Sequence, residues 1–369
     1  MPTLEKIVIQ DWRNIRLQEL EFCPEVNCIS GGNGQGKTNL ADAIHYLSTV
    51  KSAFSPNDKF NFRKGCNAFA LGGTYRLDQD STTHISVKVK DGADKQVSRD
   101  GKAYKRISEH IGLIPVVMVS PADSALVSDS ADERRRFANL VISQMDPAYL
   151  DAVQRYTKLL SQRNALLKSL ASGKYGQDDL LDAIDARMES LAQSIWQSRK
   201  ALAEDLLPRI SAIYDTLSGG AEQVGIEYQS DLGRGTLREA FERHSERDRV
   251  LGYTTAGVQR DDFLFTLNGT PIRRTGSQGQ QKTFLVALKF AQFELMRQNY
   301  GFAPILLLDD LFDKLDMART GELLKMVSGS GFGQIFLTDT DQTRCRRILD
   351  SLSASSTYWE ASGGEFTKL

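Results

Sequence analysis

Apolar positions recur over Ile7 to Ile9, and a second apolar run, Val26 to Ser30, leads straight into glycines. Both predict short strands. From Lys37 the stretch KTNLADAIHYLSTV brings Leu40, Ile44 and Leu47 onto one face at helical spacing. HISVKVK then sets Ile85, Val87 and Val89 in strict alternation, and Asp91-Gly92 and Asp100-Gly101 supply the turn chemistry of hairpins. PVVMVS predicts a buried strand. The first third therefore predicts a mixed sheet.

The pattern changes near residue 121. ADERRRF opens a helical stretch that DPAYLDAVQRYTKLLSQRNALLKSL continues, and GKYGQ breaks it. In the helix that follows, Ile184, Met188, Leu191, Ile195, Leu202 and Leu206 keep close to a seven-residue rhythm. Two geometries fit: a helical hairpin packed on its own domain, or a short coiled-coil arm reaching toward a partner. Too few heptads are present for a long rod. Strand signals return at FLFTLNGTPI, where Phe263, Phe265 and Leu267 alternate before Asn268-Gly269. A helix over residues 280 to 298 follows, then the buried strands PILLLDD and GQIFLTD. Sheet, helical insert and sheet again predict two ends that fold around one core: residues 1–120 and 251–369, with an insert over 121–250.

A chain of 369 residues is long enough for two domains or for one with an insertion. Its 46 Lys+Arg against 47 Asp+Glu leave a net charge of −1, so any nucleic-acid footprint must be local. Cys23, Cys28, Cys66 and Cys345 lack metal-ligand spacing, and the four histidines are scattered. Reduced thiols in a cytoplasmic protein without a metal-binding motif are expected. MPTLEKIVIQDW has no secretory pattern, and no apolar run approaches a membrane span, so no membrane role is expected without a partner.

GGNGQGKT, Gly31 to Thr38, fits the phosphate-loop pattern and lies between a predicted strand and a predicted helix. Gly31, Gly32, Asn33, Gly34, Gln35 and Gly36 would curl backbone N–H groups around phosphate oxygens, and the helix N-terminus adds its dipole. Lys37 would reach the β- and γ-phosphates of ATP, and Thr38 would hold Mg²⁺. Asp309, at the end of the apolar run Ile305 to Leu308, would serve the same Mg²⁺ directly or through water. Asp310 would position or deprotonate the attacking water. No guanine-specifying NKxD pattern is visible, which argues against a GTPase.

TGSQGQQKTFL, residues 275 to 285, supplies a second glycine-rich turn at a helix start. The Ser277 hydroxyl and the Gly279 N–H can both donate to a phosphate. One chain has no need of them for its own γ-phosphate. Two chains stacked head to tail across the nucleotide would let the turn of one close the site of the other.

Signature turn, helix, buried strand and acid pair occur in this order in the ATPase heads of the ABC superfamily. Ser277 to Lys282, SQGQQK, resembles the signature of the RecF family, and QDWRNI resembles the family's opening around "FRN". GGNGQGKTNLADAIHYLS is similar to its phosphate loop and first helix, GVQRDDFLF to its "GPHRDD" segment, and FDKLD to a D-loop. Some positions depart from the family pattern. Val258-Gln259 stands for Pro-His, Asp42 for Glu, and AFSPNDKFNFR, with Arg63, for an "SFR" segment. Thr338-Asp339 offers no switch histidine, and no glutamine marks the Q-loop, whose place in the chain would be near Ser120 to Asp123.

The resemblance implies an α/β fold: an ABC-type P-loop ATPase head with a mixed sheet core and an inserted helical lobe carrying a short antiparallel coiled-coil arm. It implies nucleotide contacts by Arg13, Asn14 and Asn39, with Ser277, Gly279, Gln280 and Asp316 near the partner's nucleotide. It further implies an ATP-dependent homodimer that holds double-stranded DNA and ssDNA–dsDNA junctions at gaps. Slow ATP hydrolysis would reset that clamp, and RecR with RecO would help load RecA. Arg134 to Arg136, Arg155, Lys158, Arg163, Arg273 and Arg274 are candidate phosphate contacts or, equally, solvated helix faces. Three rivals stay open: an ABC transporter subunit, which should carry LSGGQ and a switch histidine, a P-loop small-molecule kinase, and a non-hydrolysing scaffold.

Overall fold

The computed structural model describes residues 1–78, 81–128, 130–172, 178–220, 222–311, 321–323, 331–351 and 355–369. They cluster into two compact units: Met1–Ser124, Ala212–Ala221 and Gln278–Leu369 in the first, and Ala125–Ser211 and Glu222–Ser277 in the second.

The first unit contains two six-stranded sheets. One is antiparallel, in the order β2 (Ile15–Glu21), β1 (Thr3–Trp12), β4 (Ala68–Arg76), β5 (Thr82–Lys90), β6 (Gln96–Arg99), β7 (Lys102–Ala103). The alternation of HISVKVK appears as expected, with Ile85, Val87 and Val89 buried. Arg99 pairs with Lys102 across Asp100-Gly101, whose φ values of 51° and 77° make the tight turn that the dipeptide predicts.

The other sheet runs β15 (Glu365–Lys368), β14 (Ser356–Ser362), β3 (Val26–Ser30), β13 (Ile335–Asp339), β12 (Ile305–Asp309), β8 (Val116–Val119). From β14 to β8 every pairing is parallel. Strands β3, β8, β12 and β13 are buried at every position, which is why they read as unbroken apolar runs. Helix α1 (Lys37–Thr49) contacts strands of both sheets, and eleven of its residues are buried. Leu40, Ile44 and Leu47 join residues of both sheets in one apolar cluster.

The second unit holds α2 (Ala125–Ser128), α3 (Ala131–Met145), α4 (Pro147–Ala171), most of α5 (Asp178–Ser218), α6 (Leu237–Leu251) and α7 (Ile272–Thr275). All six seven-residue-rhythm positions of α5, Ile184 to Leu206, are buried. A three-stranded antiparallel sheet, β11 (Thr270–Pro271), β10 (Asp262–Leu267) and β9 (Val224–Gln229), accompanies the helices. This corrects the expected boundary at residue 251. The stretch 251–277 belongs to the second unit because β10 pairs along its length with β9, a strand the sequence pattern had not revealed. The first unit resumes at α8 (Gln278–Tyr300), and α9 (Gln342–Ser351) follows β13.

Candidate functional site

β3 ends at Ser30, and the backbone turns through Gly31 (φ 154°), Gly34 (φ 77°) and Gly36 (φ 113°) before α1 begins at Lys37. Two of these glycines are also sterically required. A Cβ on Gly31 would lie 2.4 Å from the Ala361 carbonyl oxygen, and one on Gly36 would lie 3.1 Å from the Asn14 amide. Gly32, Asn33 and Gly34 form the exposed crest of the loop. Lys37, only 3% exposed, folds back over it and donates from Nζ to the carbonyls of Gly31 (2.8 Å) and Gly32 (3.1 Å).

The parallel register brings the acid to this loop. β13 lies between β3 and β12, pairing Asp339 with Ser30 and Thr338 with Asp309. Thr38, in the first turn of α1, donates to Asp309 Oδ1 at 3.0 Å, and Thr338 donates to the same oxygen at 2.7 Å. Burial pushes the Asp309 carboxyl up to about 6; the adjacent Asp310 charge acts in the same direction, against the two hydroxyl hydrogen bonds and Lys37. The backbone N–H of Asp310 donates to Thr338 Oγ1 at 3.1 Å, and Asp310 adopts φ 45°, a strained value for a residue with a side chain. Phosphate loop, Thr38, Asp309 and Asp310 thus meet at one end of one sheet.

A hydroxyl and a buried carboxylate are hard oxygen donors of the kind Mg²⁺ selects, so Thr38 and Asp309 fit a nucleotide-borne Mg²⁺. Among the described residues no cluster of three His, Cys, Asp or Glu could hold a metal without such a ligand.

Arg13 and Asn14, expected near the nucleotide, are hydrogen-bonded to protein groups around the helix start. Arg13 is neither exposed nor aimed at open space. Its guanidinium pairs with Asp42 (2.7 Å) and donates to Asn39 Oδ1 (3.0 Å), Ser52 Oγ (2.9 Å) and Asn61 Oδ1 (3.1 Å). The Asp42 carboxyl is raised by burial despite Arg13. Asn39 Nδ2 donates to Asn14 Oδ1 at 2.7 Å, so Asn14 and Asn39 brace the helix start. Trp12 is fully buried and donates from Nε1 to the Asn39 carbonyl at 2.9 Å. Arg63 is paired with Asp11 at 2.6 Å.

Ser277 and Gln278 are exposed where α8 starts, with Gly279 and Gln280 half-buried behind them. Thr283 donates to the Gly279 carbonyl at 2.9 Å, and α8 is buried from Thr283 to Phe293. Asp316 lies outside the described residues. After β8, Asp123 accepts from the Ser120 N–H (2.7 Å) and from the buried Lys289 of α8 (3.1 Å).

Two basic candidates for DNA are instead structural. Arg134 is 5% exposed and grips Asp262 through two hydrogen bonds (2.7 and 3.1 Å). Arg163 is 2% exposed, pairs with Asp185 and Asp248, and lies 3.9 Å over the Phe241 ring. Arg135 donates to the Asp261 carbonyl and pairs with Asp132. Arg136, Arg155, Lys158, Arg273 and Arg274 are exposed, although Arg136 pairs with Glu133 and Arg155 with Asp151. In the GVQRDD stretch, Asp261 binds Arg199 (2.9 Å) and Tyr228, and Gln259 accepts from Tyr156 (2.6 Å). These contacts tie the stretch to α4, α5 and β9.

Two contributors were not legible in the chain. Thr338 stands in the sequence only as a departure from a switch histidine, yet it bridges Asp309 and Asp310. The Gly363-Gly364 turn meets the phosphate loop, and nothing in the local pattern signals a partner so distant in sequence.

Comparison with known proteins fits this geometry. Residues 3–354 match the model of the RecF/RecN/SMC N terminal domain. The DNA replication and repair protein RecF of Phocaeicola vulgatus is 42% identical over 366 residues, which cover 99% of this chain and 98% of that protein. Its counterpart in Porphyromonas gingivalis is 39% identical over 363 residues, covering 98% and 99%. A solved structure of the recombination mediator protein RecF with ATP, from the RecFOR pathway, superposes with a TM-score of 0.90 at 29% identity, covering all of this chain and 98% of that one. The Smc head domain of Pyrococcus furiosus gives a TM-score of 0.57 at 14% identity, a likeness of fold. The fold is therefore that of an ABC-type ATPase head with a helical lobe, and the chain belongs to the RecF family of DNA replication and repair proteins.

Proposed function

We propose that this protein binds ATP with Mg²⁺ at the loop Gly31–Thr38, forms an ATP-dependent homodimer, and in that state holds double-stranded DNA at single-strand gaps during recombinational repair. The observation that carries this is the convergence of Thr38 and Thr338 on Asp309, beside a loop whose lysine lies over its crest. The ATP-bound relative supports the choice of nucleotide.

Lys37, freed from the Gly31 and Gly32 carbonyls, would follow the incoming phosphates and take their charge. Thr38 and Asp309 would hold the Mg²⁺, which supplies charge neutralisation at the phosphates. Asp310, set beside Asp309 by a strained backbone, would orient the attacking water. Ser277, exposed where α8 starts, and the half-buried Gly279 N–H beside it suit a phosphate from a second copy. Asp316 is assigned to the same dimer seam by the family pattern alone.

A weak, DNA-stimulated ATPase that resets the clamp, and assistance to RecA loading with RecR and RecO, complete the proposal; the RecFOR context of the relative supports the partners. No helix among the described residues is long and apolar enough to cross a membrane, which suits a cytoplasmic, nucleoid-associated role. Exposed arginines and lysines of the helical unit, Arg155 and Lys158 among them, would touch DNA backbone and not bases.

Light scattering with and without ATP tests the proposal on wild type and Ser277→Arg. A monomer that doubles in mass with ATP, while the variant does not, supports the shared site. Bound ATP with no change of mass in wild type would sink the dimer and reopen a kinase-like mechanism.

A further inference from the structure

The phosphate loop is gripped from outside by the last hairpin of the chain. β14 lies parallel beside β3, with Trp359 opposite Ile29 and Glu360 opposite Ser30, and Tyr358 donates its hydroxyl to Ser30 Oγ at 2.7 Å. Beyond β14 the chain turns at Gly363-Gly364 (φ 59° and 89°), where Ser362 pairs with Glu365. Both amides of that turn are spent on one residue of the phosphate loop. Gly363 N–H donates to Gln35 Oε1 at 2.6 Å, and Gly364 N–H donates to the Gln35 carbonyl at 2.9 Å.

Asn14 closes the arrangement. A Cβ on Gly364 would lie 2.4 Å from the Asn14 carbonyl oxygen, while a Cβ on Gly36 would touch the Asn14 amide at 3.1 Å and the Gly364 Cα at 3.4 Å. Gly31 is closed off on its other flank by the Ala361 carbonyl. The loop is thus held at its first glycine, at Gln35 and at its last glycine, while Gly32, Asn33 and Gly34 remain exposed.

We infer that Gln35, Asn14 and the Gly363-Gly364 turn form a clamp that positions the phosphate loop, so that the chain's last two strands set its affinity for a nucleoside triphosphate. The physical basis is preorganisation. A glycine-rich loop has many conformations to lose when its N–H groups converge on phosphate, and a loop already held in shape loses fewer on binding. The Gln35 side chain and the Gly363-Gly364 turn do their work through backbone placement, from the side of the loop away from the phosphate-facing N–H groups. Gln35, Asn14 and Gly364 are positioning residues in this role.

The inference rests on triphosphate binding by this loop, so the experiment tests the two separately. The dissociation constant of a fluorescent ATP analogue with Mg²⁺, and the melting temperature without nucleotide, are measured for wild type, Gln35→Met, Gly364→Ala and the double variant. Gln35→Met keeps length and loses the acceptor; Gly364→Ala forces the turn away from Asn14 and lies outside the phosphate-contacting residues. Each single variant is expected to weaken binding roughly fivefold, the equivalent of about one hydrogen bond; Gln35→Met should do so at an unchanged melting temperature, and Gly364→Ala at a lower one, because its Cβ meets the Asn14 carbonyl at a positive φ. The double variant should be no weaker than the singles, because both cut one clamp. Variants that bind like wild type, or that lose melting temperature and keep affinity, overturn the inference alone. Should Gly364→Ala fail to fold, Gln35→Met decides by the same two readouts. Absence of binding by wild type overturns triphosphate binding and the clamp together.

Discussion

Asp309 and Asp261 are both nearly sealed from solvent, 2% and 1% exposed, and burial raises the pKa of both carboxyls. Their surroundings differ. Asp261 faces the Arg199 guanidinium at 2.9 Å and the Tyr228 hydroxyl, with Arg134 and Asp262 paired nearby. Asp309 is met by the hydroxyls of Thr38 and Thr338, with its charged neighbour Asp310 adding repulsion. A buried carboxylate matched by arginine is a structural tie. One met by hydroxyls at the mouth of a phosphate loop suits the Mg²⁺ proposed for it.

Breaking the structural tie should have the largest effect. Arg199→Met leaves Asp261 buried without its cation and strips donors from Tyr149, Val258 and Asn139. A loss of roughly 3–5 kcal/mol in urea unfolding is expected, with nucleotide affinity unchanged in the protein that remains folded. A shift below about 1 kcal/mol would mean that Arg199 is not a keystone of the helical unit.

Asp309→Asn should act in opposite directions on stability and activity. Removal of a buried charge raises the melting point of the nucleotide-free protein, while phosphate release slows by roughly 10²–10³-fold, the usual cost of losing one charge-stabilising group. A variant that melts lower and hydrolyses normally would assign Asp309 to the same class as Asp261.

A third comparison lies in α1, where burial and the nearby Lys289 charge hold His45 down at about 4. Its Nδ1 donates to the Lys51 carbonyl at 3.2 Å. An unfolded histidine titrates near the ordinary 6.5, so between pH 6.5 and 4 the unfolded chain binds the proton that folded His45 refuses. Stability contributed by this residue is complete above pH 6.5 and is lost as pH falls toward 4, by on the order of 2–3 kcal/mol. His45→Gln should flatten that part of the stability profile; an unchanged profile would remove His45 from the account.

The smallest effect is expected on the surface. Arg155→Ala and Lys158→Ala should each weaken duplex binding slightly and reduce the salt dependence by about one counterion. Arg163→Met, by contrast, should destabilise the helical unit and leave the salt slope of the folded fraction alone. Equal slopes for all three variants would move the DNA surface elsewhere.

Much of the proposed nucleotide site was legible because its chemistry is local. Glycines, Lys37 and Thr38 are consecutive, and the run Ile305 to Leu308 advertises a strand buried on both faces. The basic residues were not legible in the same way. Arg134, Arg136, Arg155 and Arg163 look alike in sequence; whether an acid from another element waits opposite depends on packing. Residues 251–277 were misassigned for a related reason. The alternation of Phe263, Phe265 and Leu267 gave the strand, but not β9 as its partner.

The sequence by itself determined the long helices, the buried apolar strands, the phosphate loop, the acid pair and the family, since these depend on periodicity and on spacings of a few residues. Tertiary structure decided which charges are spent on one another, that Thr338 would bridge Asp309 and Asp310, and that Gln35 would be held by a turn at the far end of the chain. Hydrogen bonds and ion pairs act over about 3 Å, and only folding brings residues 35 and 363 within that reach.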